Sequence, residues 1–184
     1  MRVLAISGSL RRGSHNAALL RAAAEEAPRG VDVRLWNGLR EIPPYDADDD
    51  VVPGPPAVEE LRAAVRAADA VLIATPEYNA SVPGALKNAL DWASRPLATN
   101  AFRNKPVAVI GSSTGAFGAV WSQAELRKVL ATMGARVVDA ELAVGHAQEK
   151  LDADGRVVDD EVRDSLREVL QLLEAEVAPA LVAA

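Results

Sequence analysis

The chain contains no cysteine among its 184 residues. That removes disulfides, thiol nucleophiles and thiolate metal sites together. It has two histidines, His15 and His146, far apart in sequence, and no H-E-x-x-H or related spacing, so no metal site is expected. No run of about eighteen apolar residues is present, which excludes a membrane-spanning helix. The N-terminus has no basic stretch followed by a long apolar core, so no signal peptide is expected and a cytoplasmic location is the default. Basic residues are in deficit, 20 Lys and Arg against 26 Asp and Glu, for a net charge of -6. That balance argues against partnership with nucleic acid or a membrane surface. What the chain does have is apolar substance: 49% of its residues are hydrophobic, enough for a folded core. The length suits one domain spanning residues 1–184.

The opening stretch, MRVLAISGSLRRGSHN, is the most informative part. Residues 2–6 form a short apolar run with a β-branched bias, as in a buried strand. Residues 7–14 are rich in small and hydroxyl residues, and residues 17–27 form an Ala/Leu/Glu helix. A helix N-terminus offers unpaired N–H groups and the positive end of a dipole, so an anion is favoured there. Ser9, Ser14 and Asn16 add side-chain donors, and Arg11 adds a fixed cation. The loop lacks the Gly-Lys-Ser/Thr ending of a Walker A motif and the G-x-G-x-x-G of a dinucleotide fold. Several hydroxyls without a lysine suit a terminal monophosphate. The alternative is a plain strand-to-helix turn with Ser14 or Asn16 as the N-cap.

Beyond that loop, strand and helix patterns alternate. Strands are expected at residues 31–36, 70–75, 107–110 and within 136–144. The run AVLIAT at 70–75 is apolar throughout, as in a strand covered on both faces. Helices are expected at 56–68, 83–94, 120–133 (ending at Gly134) and 159–177. The order β-α-β-α-β-α-β-α-β-α predicts a three-layer, doubly wound α/β fold with five parallel strands. The flavodoxin-like strand order 2-1-3-4-5 fits that count, and ligands of such sheets sit beyond the strand C-termini. The loops after residues 7, 75 and 110 therefore meet at one place. The second loop carries Pro76, Glu77, Tyr78 and Asn79, whose backbone and ring suit the edge and face of a flat ring system. Its alternative is a loop capped by Pro and Asn with a surface tyrosine. The third, GSSTGAFG, gathers Ser112, Ser113, Thr114 and three glycines where backbone approaches closely.

Taken together, GSLRRGSHN, PEYNASVPGALKNALDW and GSSTGAFG resemble the NADPH-dependent FMN reductase family of flavodoxin-like flavoproteins, which includes quinone, chromate and azo reductases. The resemblance covers nearly the whole chain in order and spacing. It implies FMN as cofactor, NADPH or NADH as electron donor, and a small-molecule electron acceptor. It implies that Ser9, Leu10, Arg11, Ser14 and Asn16 hold the FMN phosphate. It further implies that Pro76, Glu77, Tyr78 and Asn79 bound the isoalloxazine, and that Ser112, Ser113 and Gly115 contact the ring edge or ribityl chain. The flavin carries such chemistry, so no catalytic side chain is assigned. The resemblance implies a homodimer, with a tetramer as the alternative. Relatives often carry a second glycine where this chain has Ala119. Several quinone and chromate reductases carry Arg and Tyr, part of a subunit-contact network, where this chain has Trp121 and Ala124. A non-enzymatic FMN electron carrier or a flavin-binding sensor would use the same fold.

Other features invite plainer readings. Lys87 and Asp91 form an i,i+4 pair. Trp92 belongs to the core or an interface. Arg95 is a candidate for the nicotinamide nucleotide phosphate, against a solvated surface arginine. The run of acidic residues at 46–50 reads as a solvated loop, and residues 152–155 as a turn.

Overall fold

The computed structural model describes residues 1–182, with side chains as far as residue 177. Strand β1 (Arg2–Ser7) leads into helix α1 (His15–Glu25), β2 (Asp32–Trp36), α2 (Pro56–Ala67), β3 (Ala70–Thr75) and α3 (Gly84–Ala93). Then come β4 (Pro106–Ser112), α4 (Val120–Thr132), β5 (Arg136–Val137), β6 (Ala143–Val144) and α5 (Asp160–Val182). The strands are parallel in the order β2-β1-β3-β4-β5, with β6 also pairing β4. This is the doubly wound order expected from the sequence.

Strand alternation explains the continuous apolar runs. In β3, Ala70, Leu72 and Ala74 face α1 and α5, while Val71 and Ile73 face the α2–α4 side. In β4, Ala108 and Ile110 face the first layer, and Val107 and Val109 the second. Both faces are dry, so neither residue parity can be polar. The layer beneath α5 is closed by Val162, Leu166, Val169 and Leu173, spaced three or four apart so that they share one face of the helix. The layer under α3 holds Trp92, fully buried, with Tyr45 packed edge-on at 4.9 Å. The indole Nε1–H and the Asn88 amide both donate to the Pro43 carbonyl, at 2.9 and 2.8 Å.

One element departs from expectation. The last strand, expected within 136–144, is broken into β5 and β6, with residues 138–142 irregular between them. The reason is Arg127 of α4. Its guanidinium donates to the carbonyls of Val138 (2.9 Å) and Val109 (3.2 Å), and to that of Ala140. Side-chain donors thus stand where a ladder of backbone N–H groups would lie. Burial holds the Arg127 pKa below its ordinary value.

Candidate functional site

The C-terminal ends of β1, β3 and β4 open into a cleft of about 330 Å³. Nine of the twelve residues expected at a site line it: Ser9, Arg11, Ser14, Asn16, Pro76, Glu77, Tyr78, Ser112 and Ser113, together with His15 and Thr114. Three segments far apart in sequence meet there because β1, β3 and β4 are adjacent and parallel.

The first wall is the loop before α1. Ser9 accepts from the Arg11 N–H at 3.3 Å, and Ser7 accepts from the Ser9 N–H at 3.3 Å, so short side chains fold the loop locally. Ser14 is the N-cap of α1, its hydroxyl accepting from Ala17 N–H at 3.2 Å. The N–H groups of His15 and Asn16 have no intrahelical acceptor, as in any first turn, and they begin at the cleft. Arg11 is exposed beside them. Partial burial and the Arg11 charge hold the His15 pKa below its ordinary value. Asn16 is buried, and its amide is engaged with β4: Nδ2 donates to the Ser112 carbonyl (3.0 Å) and Oδ1 accepts from Ser112 N–H (2.9 Å). Asn16 thus stitches the first wall to the third by imitating a strand neighbour.

The second wall follows β3. Tyr78 and Ser81 exchange backbone hydrogen bonds of 3.3 and 3.1 Å around Asn79 and Ala80, both at positive φ (54° and 58°). This is a tight hairpin with two left-handed central residues, a type I′ signature that favours Asn. Asn79 therefore sits at the exposed hairpin tip and not in the cleft lining. The Glu77 carboxylate turns away along the wall, its Oε2 accepting from the N–H groups of Trp121 and Ser122, both at 3.0 Å. Two more ties run alongside. Thr75 Oγ1 and Ser122 Oγ lie 2.9 Å apart, and the Glu125 carboxylate accepts from the Ser81 hydroxyl (2.6 Å) and Val82 N–H (3.2 Å). Those two donors hold the Glu125 carboxyl below its ordinary pKa.

The third wall is the glycine-rich loop after β4. Ser113 N–H donates to the Val144 carbonyl and His146 N–H to the Gly115 carbonyl, both at 3.0 Å. Gly115 thus turns toward residues 144–146 and does not line the cleft. Gly118, at φ 57°, presses on β6 so closely that a Cβ there would lie 2.3 Å from the Ala143 carbonyl carbon. Leu10, the remaining expected residue, is exposed outside the lining, with its carbonyl accepting from Arg40 at 2.6 Å. Arg95 lies elsewhere, in a separate hollow between α3 and α4, with its Nε donating to the Tyr45 hydroxyl at 3.3 Å. Lys87 and Asp91 form the expected pair, at 2.7 Å. Thr114 belongs to the hydroxyl-rich third loop expected at the site, and His15 to the first loop, where a neighbour of the helix cap is the plainer reading.

One polar atom at the cleft lacks a partner. Ser112 is 2% exposed, and its hydroxyl has no hydrogen bond among the described residues. A buried hydroxyl beside a cleft is satisfied most simply by a ligand or water there. A helix N-terminus, a cation, several hydroxyls and an unpartnered buried hydroxyl offer positive charge and hydrogen bonds to an anionic, hydroxyl-bearing molecule.

A doubly wound α/β sheet in the order β2-β1-β3-β4-β5, with its cleft past β1, β3 and β4, defines the class as a flavodoxin-type fold. A solved flavodoxin from Pseudomonas aeruginosa shares this fold, with a TM-score of 0.62 at 18% identity over 95% of this chain and 99% of that one. The sequence model for the NADPH-dependent FMN reductase family matches residues 1–149, and the chain belongs to that family of oxidoreductases. It is 44% identical to an NAD(P)H-dependent FMN reductase of Pseudomonas aeruginosa over 175 residues, covering 95% of this chain and 94% of the relative. It is 41% identical to a quinone reductase of Escherichia coli K12 over 169 residues, covering 90% and 89%. The solved flavoenzyme NAD(P)H:(acceptor) oxidoreductase of Paracoccus denitrificans superposes with a TM-score of 0.84 at 33% identity, covering 95% of this chain and 98% of that one. Among the described residues no helix is long and apolar enough to cross a membrane.

Proposed function

We propose that the chain is a cytoplasmic, FMN-dependent NAD(P)H oxidoreductase acting on quinones, with FMN seated in the cleft past β1, β3 and β4. The observation that carries this reading is the buried, unpartnered Ser112 hydroxyl in a cleft lined by nine of the expected residues. When bound, FMN supplies the chemistry: it accepts hydride from a nicotinamide and returns electrons to an acceptor.

The chain's own residues bind and orient. The Arg11 guanidinium, the first-turn N–H groups of α1 and the hydroxyls of Ser9 and Ser14 hold the phosphate. Ser14 still has its hydroxyl hydrogen to donate while capping α1. The Ser112 hydroxyl bonds the ribityl chain. Backbone groups of Glu77 and Tyr78, with Ser113 and Thr114, meet the edge of the ring. Reduction of a quinone to a quinol takes up one proton besides the hydride; solvent supplies it, so no side chain is assigned to proton transfer.

The same reading extends to assembly. Three of the seven aromatic side chains are well exposed: Tyr78 at 57%, Phe117 at 65% and Trp121 at 50%. Tyr78 belongs to the second wall, and Phe117 and Trp121 pack on each other at 5.1 Å where α4 begins. A homodimer that covers them is the expected state, with a tetramer as the alternative, and sedimentation velocity separates the two.

The test is a visible spectrum of the purified protein with FMN, then with NADPH or NADH without oxygen, and finally with a quinone. A bound-flavin band that bleaches with nicotinamide and returns with quinone is expected. Absence of flavin uptake overturns the reading. Uptake without bleaching by either nucleotide overturns the reductase and leaves a carrier.

A further inference from the structure

Two helices, α1 and α4, begin beside the same cleft, and a helix N-terminus attracts anions. α1 is capped by its own Ser14. α4 has no such cap: the residue before it is Ala119, which has only a methyl group and sits in the left-handed region at φ 64°. The α4 donors are met by the Glu77 carboxylate, from 44 residues earlier in the chain. Glu77 at the same time lines the cleft. We infer that Glu77 is a positioning residue, an internal anion on the α4 N-terminus that holds the ring-side wall of the cleft in the shape that takes up flavin. This rests on the FMN reading above.

Three observations support it. Both α4 donors converge on one carboxylate oxygen at 3.0 Å, the geometry of a charge-assisted cap. Further contacts between the same two segments, Thr75 with Ser122 and Glu125 with Ser81 and Val82, make the wall and the helix one unit. The hairpin carrying Tyr78 starts at the residue after Glu77, so a shift of the carboxylate is a shift of that wall. Of these two helix starts, an incoming phosphate then finds only α1 open, because the α4 start already holds a negative charge. The flavin is thereby oriented with its phosphate toward α1 and its ring toward α4.

The experiment compares wild type with Glu77→Ala and Glu77→Gln, reading FMN affinity by fluorescence and the position of the bound-flavin band, with and without added formate. Glu77→Ala is expected to bind FMN about tenfold more weakly, the fold-change of a lost helix cap. Formate is expected to recover affinity and band position in Glu77→Ala by refilling the anion place. It is expected to have no effect on wild type or on Glu77→Gln, whose amide still fills that place. Wild-type affinity and spectrum in Glu77→Ala overturn the inference while leaving FMN binding intact. Loss of affinity without formate recovery overturns it too, because a purely structural side chain would behave that way. If Glu77→Ala fails to fold, Glu77→Gln carries the test: a several-fold loss of FMN affinity with a shifted band supports the inference, and an unchanged variant overturns it. A wild-type chain that takes up no FMN overturns the functional reading and this inference with it.

Discussion

The starts of α1 and α4 stand beside one cleft and are built in opposite ways. α1 is capped locally, by a serine in extended backbone whose hydroxyl reaches the N–H three residues on. α4 starts from an alanine in the left-handed region and borrows its cap from the adjoining wall, 44 residues earlier in the chain. A local cap leaves the helix end open to an outside anion. A borrowed cap closes it and binds two walls together. The same feature, an N-terminus at a strand's C-terminal end, thus serves ligand uptake at one place and wall-building at the other.

Several substitutions break or sharpen that contrast. The largest effect is expected from Asn16→Ala, which strips partners from the buried N–H and C=O of Ser112 and unties the α1 wall from β4. It should cost about 2–4 kcal/mol in denaturant titration, since buried unsatisfied groups cost about 1–3 kcal/mol each. Ser14→Ala removes the local cap and should cost about 1 kcal/mol, with FMN affinity falling alongside. If stability falls and FMN affinity does not, Ser14 is a cap and no more. Ala119→Gly relieves about 1–2 kcal/mol of left-handed strain and returns about 0.4–1 kcal/mol of freedom to the unfolded chain, so it should stabilise by at most about 1 kcal/mol without changing flavin affinity. A loss of stability would show that the buried methyl group outweighs the backbone strain.

The smallest effect concerns acidity at the α1 end. His15 has its pKa held below the ordinary 6.5 by burial and by Arg11. The unfolded chain therefore binds this proton more readily than the folded one. Stability from this group is present above about pH 6.5 and is lost as pH falls through the lowered value. His15→Gln should flatten the slope of unfolding free energy against pH in that window. An unchanged slope would assign the acid sensitivity to other groups.

Much of the fold is legible in the sequence, because strands covered on both faces leave runs such as AVLIAT that nothing else produces as simply. The meeting of three loops follows from strand order, and nine of twelve expected residues line the cleft. The three that stand outside the lining are set by contacts of their loops: Asn79 and Gly115 by backbone hydrogen bonds, and Leu10 by the Arg40 guanidinium donating to its carbonyl, a partner 30 residues on. The Glu77 cap depends on where the α4 N–H groups point, and Ala119 gives no sign of its left-handed backbone. The break between β5 and β6 is set by Arg127, whose place on α4 says nothing of its reach into the sheet.

Arg127 has a further effect, on how molecules of this chain meet one another. A sheet margin with a long row of open backbone groups is a template on which another chain can add a strand. Here that margin consists of two pieces of two residues each, with residues 138–142 irregular between them because the Arg127 guanidinium stands between them and β4. There is too little regular ribbon left for a neighbour to zip onto. The arginine that interrupts the last strand thereby blunts this one edge, and β2, five regular residues long, remains the longer edge of the sheet.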